Sequence, residues 1–398
     1  MYPTIYDAVK DIFGVSIPFL KLLQSFGFFV AIAFLLCAWV FAKELVRKER
    51  QGKLKGTFRK VIKGVAATKA DLTAQFIFGF LIGWKFIAIF FAGEDFSNDP
   101  RAYILSGQGN IYTGLIFGGL FTWWRWRQAE KQRLPEPKEE TEKVSPAEHV
   151  GNMTLLAALF GFLGAKLFHI LENFSDFLND PGDMLFSFSG LTMYGGLILG
   201  AVAVLMYARK QEFSMLHVMD ACAPGLLLAY GVGRLGCHIS GDGDWGIVNT
   251  ALMPGWLSFL PEWVWAFDYP NNVNRTCLPD ASYANSILAA FCDPENPRLI
   301  APVYPTPLYE AFINIVLFFF FWIFLRKRIV TPGLLFSLYL VFNGLERFFI
   351  EIIRVNNVLF TIGSFEMTQA QLIALTLVAL GLIGIVWSKK HANKISAT

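Results

Sequence analysis

Apolar residues in this chain run in long stretches separated by short charged segments. Crossing a hydrocarbon layer about 30 Å thick takes about 20 such residues in a helix. Runs of this kind fall near 21–42, 72–93, 110–124, 151–171, 188–208, 217–237, 306–325, 332–353 and 369–388, the third being the shortest. The pattern predicts an all-α polytopic membrane protein with about nine transmembrane helices. Residues 1–17 are amphipathic and lack a basic leader or a small-residue cleavage site. They predict an interfacial helix rather than a signal peptide.

Composition agrees. Of 398 residues, 55% are hydrophobic, 16% aromatic and 16% charged, against about a quarter charged in soluble domains. That balance excludes an ordinary water-soluble enzyme, a disordered chain and a nucleic-acid binder. The net charge of +3 matters less than where the charges lie. Segment 43–69 holds ten basic residues, and the stretch from Arg125, the pair Arg209-Lys210, the triplet Arg326-Lys327-Arg328 and the pair Lys389-Lys390 are basic too. The intervening loops carry Glu94, Asp95 and Asp99, then Glu172, Asp176, Asp180 and Asp183. Basic loops stay on the cytoplasmic side, so the expected orientation puts the N-terminus and loop 238–303 outside and the C-terminus inside.

An internal repeat divides the chain further. IFGFLIGWKF at 77–86 resembles LFGFLGAKLF at 159–168, Asn98-Asp99-Pro100 matches Asn179-Asp180-Pro181, and YTGLIFGGL from Tyr112 matches YGGLILGAV from Tyr194. This reads as a duplicated two-helix hairpin, the first copy having Thr113 where the second has Gly195. The expected units are an interfacial helix at 1–17, a first span with a basic loop at 18–71 and the extra hairpin at 72–124. A charged loop at 125–150, core spans at 151–246, an outer head at 247–303 and C-terminal spans at 304–398 complete them. Cys277 and Cys292 both lie in the head, where an oxidising exterior permits pairing; Cys37 and Cys222 fall in or near apolar runs and suit packing.

Charged side chains inside spans are expensive and mark function. In NGLERFFIEIIR, Asn343, Arg347, Glu351 and Arg354 follow at intervals of four, four and three, which predicts one shared helical face. Either an Arg–Glu pair joins helices there, or a surplus of positive charge seeks an anion such as a phosphate. The second cluster, GVGRLGCHISGDGDWG at 231–246, surrounds Arg234, Cys237, His238, Asp242 and Asp244 with glycines, Gly233 among them. Capping of backbone amides is the expected role for Asp244, and His238 could be a plain interfacial histidine. Glu310, in YPTPLYEAF, opens the seventh run, where a carboxylate also favours the helix dipole. Tyr194-Gly195-Gly196 serves equally as a site or as a close helix crossing. With spans alternating in direction, all four clusters fall in the outer half of the membrane, and no comparable cluster is expected at the inner half.

These motifs resemble the prolipoprotein diacylglyceryl transferase family. The carriers are YGGLILG at 194–200, GRLGCHISGDGDWG at 233–246, YPTPLYE at 304–310 and NGLERFFIEIIR at 343–354, with TQAQL around Gln371 opening the last span. The resemblance implies a family core of seven spans plus the duplicated hairpin, with a small periplasmic head, in a bacterial inner membrane. It implies transfer of the diacylglyceryl group of phosphatidylglycerol to the lipobox cysteine of a preprolipoprotein signal peptide at the bilayer, releasing glycerol 1-phosphate. No cofactor or metal is expected. An anion or phospholipid-headgroup transporter is the alternative.

Carried over motif by motif, the resemblance gives Arg234 and Arg347 as the phosphate-gripping catalytic arginines, with Tyr194 and Asp242 beside them. Gly195, Gly196, Gly233, Cys237, His238, Glu310, Asn343, Glu351 and Arg354 are the expected substrate-binding residues, with Glu351 and Arg354 positioning Arg347. Many members have His where this chain has Tyr194, Asn for Cys237 and Glu for Asp242, and Phe26 stands for a frequent Tyr. A tyrosine with an ordinary pKa near 10 is a poor base, so the group that takes the thiol proton stays open between Asp242, His238 and no dedicated base.

Overall fold

The computed structural model describes residues 1–87, 107, 109–186, 192–286, 292–293, 297–355, 358–362 and 365–391. The Asn98-Asp99-Pro100 triplet, the end of the run near 72–93 and the start of that near 188–208 lie outside them. The described part of each apolar run falls on a helix. After the amphipathic α1 (Ile5–Phe13) come α2 (Ser25–Arg50), α3 (Lys69–Leu81, continued by a π-helical turn over Ile82–Ile87), α4 (Ile111–Lys131) and α5 (Val150–Glu172). Then follow α6 (Met193–Lys210), α7 (Met215–Ser240), α8 (Thr306–Phe320, running on to Arg328), α9 (Leu334–Glu351) and α10 (Gln369–Lys390). Among the described residues, α2, α3, α5, α7, α8 and α10 are long and apolar enough to cross a membrane. Helix α9 holds Glu346, Arg347 and Glu351 within 18 residues.

The chain is not wholly helical. Strand β1 (Thr57–Lys63) pairs antiparallel with β2 (Lys138–Val144), and β3 (Val358–Ile362) with β4 (Phe365–Thr368). Lys60 meets Glu139 at 3.0 Å and Lys63 meets Glu140 at 2.8 Å, so opposite charges face each other across the first ribbon. These exposed pairs contribute little each. Together with the backbone ladder they join the two charged loops at the foot of the extra hairpin.

Both copies of the repeat pack by the same device. Helix α3 crosses α4 and α5 crosses α6 through glycines: a Cβ on Gly83 would strike the carbonyl of Thr113, and one on Gly164 that of Gly195. Small residues let backbones approach where lipid removes any hydrophobic drive between helices. Thr113, which replaces the glycine of the second copy, donates its hydroxyl to the carbonyl of Gly83 at 2.8 Å.

Helix α7 is the axis of the remaining bundle. Of its most apolar window 56% is buried, against 17–28% for the other five candidate spans. It packs on α2, α8 and α9, and α10 covers α9. Gly225 of α7 lies against Cys37 of α2, with Cys222 packed into the same core. The described residues of 247–303 form an irregular folded segment around Tyr269, Leu299 and Val303, with Trp245 packed on them. A Cys277–Cys292 disulfide closes it, Cα to Cα 5.5 Å.

One expectation is overturned: the basic end of the bundle has a polar cluster of its own. Glu44 of α2 binds Arg47 at 2.7 Å and Arg326 at 2.5 Å. Lys48 sits 3.5 Å from Asp220 of α7, which also accepts the amides of Gly333 and Phe336 at the start of α9, 2.9 and 3.0 Å away. Every carboxylate there has protein partners, and the cluster locks α2, α7, α8 and α9 together. Removing one member of a buried pair costs about 3 kcal/mol or more. Asp220→Ala should therefore lower the unfolding temperature of the detergent-solubilised protein clearly, and Asp220→Asn, which retains an acceptor, should lower it less.

Candidate functional site

Antiparallel neighbours bring chain ends together. The C-terminal end of α7, the N-terminal part of α8 and the last turn of α9 meet at the end of the bundle opposite the Asp220 cluster. Glu310 lies at the centre, 0% exposed. Its Oε2 lies 2.6 Å from Arg234 Nε in an ion pair, and its Oε1 accepts Arg347 Nη1 at 3.0 Å and Arg354 Nη1 at 3.5 Å. Tyr230, one turn before Arg234, donates its hydroxyl to the same Oε1 at 3.4 Å, and its ring lies 5.1 Å from the Arg234 guanidinium. Arg347 also pairs with Glu351 at 2.7 Å, and Glu351 accepts the hydroxyl of Thr368, the N-cap of α10, at 2.6 Å.

Asp244 completes the ring. One of its oxygens meets Arg234 and the other Arg354. This overturns the expected capping role, which falls to Asp242 instead: its Oδ1 accepts the Asp244 amide at 3.2 Å. Gly241 and Gly243 hold φ at 63° and 97°, the left-handed region glycine favours, which is what turns the loop back over the end of α7. Thr306 donates to the Asp244 carbonyl at 2.8 Å and anchors that turn to α8. The expected single face of α9 is also corrected. The helix ends at Glu351, and Arg354 reaches the site from beyond it, paired as an isolated β-bridge with Gly246.

The expected surplus of positive charge is absent from this ring. Arg234, Arg347 and Arg354 face Glu310, Glu351 and Asp244, and Glu346 of α9 is buried nearby. Glu346 was not singled out from sequence, although its place next to Arg347 inside an apolar run was a signal. Lys85 and Lys166 were missed likewise: they hold equivalent places in the two hairpins and both are buried.

The other predicted residues fall around this ring or away from it. Cys237 is buried with its sulfur 3.9 Å from Arg234 Nη1. Gly233 leaves open space where a Cβ would stand. His238 packs with the segment after Gly246, its Nδ1 3.1 Å from the Tyr269 hydroxyl and its ring against Trp263 and Phe267. Asn343 is half-buried on α9, one turn before Arg347. Gly195 and Gly196 pack on α5, against Gly164 and Gly161, with half-buried Tyr194 beside them. The structure thus brings together Arg234, Arg347, Arg354, Glu310, Glu351 and the 237–244 turn, and gives the glycine pair a helix-crossing role. Ligand atoms of Cys237, Asp242 and Asp244 lie within 4.8 Å of one another. Two guanidiniums already supply the positive charge at Asp244, so this donor set does not favour a cation. A cavity of about 1210 Å³ opens in the irregular segment after Gly246, lined by Trp263, Trp265, Glu262 and Asp268.

Helices long and apolar enough to cross a membrane, with a ring of paired guanidiniums and carboxylates where three helix ends meet, define a polytopic, mostly helical membrane protein. A model of the family described as prolipoprotein diacylglyceryl transferase matches residues 104–387, and the chain belongs to that family. Three relatives are each named phosphatidylglycerol–prolipoprotein diacylglyceryl transferase. One from Leptospira interrogans is 27% identical over 247 residues, covering 56% of this chain and 67% of the relative. One from Clostridium novyi is 28% identical over 235 residues, 59% and 77%. One from Xylella fastidiosa is 32% identical over 239 residues, 56% and 71%.

The Asp244 carboxyl is subject to two opposed influences. Burial pushes its pKa up, but Arg234 and Arg354 outweigh burial and hold it below the usual range. Asp242 moves the other way, raised by burial and by the neighbouring Asp244 charge. A depressed carboxylate stabilises the fold fully above the unfolded value near 4 and loses that contribution as pH falls through its lower folded value. Between about pH 5 and pH 2, the unfolding temperature of the wild type should therefore fall more steeply than that of Asp244→Asn.

Proposed function

We propose that this chain transfers the diacylglyceryl group of phosphatidylglycerol to the thiol of the lipobox cysteine of a preprolipoprotein, releasing glycerol 1-phosphate. The observation that carries this reading is the convergence of Arg234 and Arg347, from separate helices, on opposite oxygens of one carboxylate at 2.6 and 3.0 Å. Groups that share a carboxylate can share a phosphate.

The substrate brings its own nucleophile. A free thiol has a pKa near 8.5 and is only a few per cent thiolate at neutral pH. The thiol sulfur attacks the glycerol carbon, the C–O bond to phosphate breaks, and negative charge grows on the leaving phosphate oxygen. Arg234 and Arg347 stabilise that charge where it develops. Glu351 braces Arg347 on one side, and Glu310 spaces all three guanidiniums. Tyr194 is assigned a hydrogen-bonding role at the edge of the lipid site, and Asp242 braces the turn that carries Asp244. The basic segments 43–69 and 326–328 belong on the cytoplasmic side by the positive-inside rule. That sets the N-terminus, the arginine ring and the 247–303 head on the periplasmic side of an inner membrane crossed about nine times, with the C-terminus inside.

The test is lipidation of a lipobox peptide by the purified protein in phosphatidylglycerol-containing micelles. Losing one donor of this kind costs about 10²–10³ in rate. Arg234→Ala and Arg347→Ala should each lose at least that much while still inserting and folding; full activity in both variants would sink the assignment. If the first hairpin copy is scaffold, replacing Tyr112, 77% exposed, should leave the rate unchanged, whereas Tyr194→Phe should lower it.

A further inference from the structure

The arginine ring poses a problem for its own substrate. Each guanidinium that should grip a phosphate already holds a carboxylate, so lipid binding must displace one. Glu310 and Glu351 have fully buried side chains and sit on helices. Asp244 differs in every respect: it stands on a loop directly after two left-handed glycines, Gly241 and Gly243, its side chain is 32% exposed, and its two oxygens are divided between Arg234 and Arg354. Two oxygens on one centre, each facing its own guanidinium, is the arrangement the two non-ester oxygens of a phosphodiester would make.

We propose that Asp244 occupies the seat of the lipid phosphate while the site is empty and, once displaced by it, takes the proton of the incoming thiol. This rests on the diacylglyceryl-transfer reading and answers the question it leaves open, which group acts as base. The backbone of residue 244 is tethered, through its carbonyl to Thr306 and through its amide to Asp242. Displacement is therefore a side-chain rotation that leaves the carboxylate beside the bound headgroup. A thiol is compatible with this neighbourhood, since Cys237 places one 3.9 Å from Arg234 and within 4.8 Å of the Asp244 carboxylate.

Exchange also changes what the carboxylate can do. Facing it are Arg234 from α7, Glu310 from α8, Arg347 and Arg354 from the α9 end, and Asp242 on its own loop. While paired to two arginines Asp244 is a weak base. With a phosphate on those arginines, it loses its counter-charges and gains an anionic neighbour, both of which raise its proton affinity. Proton transfer then accompanies attack. The S–H proton passes to the Asp244 carboxylate, sulfur bonds to the glycerol carbon, and that carbon's C–O bond breaks with its electron pair on the phosphate. Glycerol 1-phosphate departs with one more negative charge, and the returning carboxylate can help expel it. The base is thus unmasked only when lipid is in place, which keeps the empty site from deprotonating a thiol it cannot alkylate.

The experiment measures two quantities on the purified full chain: phosphatidylglycerol affinity in otherwise neutral-lipid nanodiscs, and single-turnover transfer to a lipobox peptide at saturating lipid. Asp244→Asn should bind phosphatidylglycerol several-fold more tightly than the wild type, yet transfer about 10²–10⁴ more slowly. Asp244→Glu should retain near wild-type affinity and much of the rate. Tighter binding with slower chemistry is an opposition that a merely structural residue would not produce. Binding that is unchanged or weaker in Asp244→Asn, or transfer as fast as wild type, overturns the inference. Failure of the wild type itself to prefer phosphatidylglycerol or to modify the peptide would instead overturn the transfer reading beneath it.

Discussion

The site depends on one buried carboxylate. Three guanidiniums gathered in a low-dielectric interior repel one another strongly, and Glu310, wholly buried, is what holds Arg234, Arg347 and Arg354 together. Of the two readings open from sequence, dipole partner and arginine ligand, the structure shows the second: Glu310 lies past the first turn of α8 and is paired with arginines. Because its partners come from α7, from α9 and from beyond α9, the same contact fixes where three helix ends stand.

Much of this was legible in the chain itself. Long apolar runs located the helices because a membrane demands length and little else. The spacing of Arg347 and Glu351 by four located an ion pair that the helix does form. What was not legible depended on where a helix stops. The interval from Glu351 to Arg354 suits one face, but the chain leaves helical geometry first, so Arg354 turns to Asp244. Asp242 and Asp244 are two residues apart in a glycine-rich turn, and only the left-handed backbone at Gly241 and Gly243 decides which faces the arginines. The β1–β2 ribbon was hidden for another reason. Its strands are charged on both faces and carry no apolar alternation to read, and their complementary signs have meaning only once they are known to be adjacent.

Charge balance changes how anion recognition must work. Had the arginines been in excess, a phosphate would simply neutralise them. In a ring already matched by Glu310, Glu351 and Asp244, added negative charge has to trade places with a carboxylate. Affinity then reflects the difference between two anions on the same guanidiniums. Such exchange favours a headgroup able to offer two oxygens at once, and it preserves a low net charge in the bundle whether or not lipid is present. That is an advantage where each uncompensated ion in the membrane is costly.

The two ends of the bundle differ in how their carboxylates are held. At the basic end, Glu44 is shared by Arg47 and Arg326, and Asp220 is fixed by a lysine and two backbone amides. All of these sit on regular helix or at a helix start, and none is on a glycine-rich turn. At the other end one carboxylate stands on a loop that glycine permits to bend, next to open space at Gly233. Between the ends, Pro224 and Gly225 of α7 are buried in close packing against α2. Passage across the membrane would need exchangeable polar groups along the way; a lipid entering sideways needs them at one depth only. Among the described residues, Asp244 is the carboxylate of the ring that stands on a loop, and under the proposed exchange its placement favours the second arrangement.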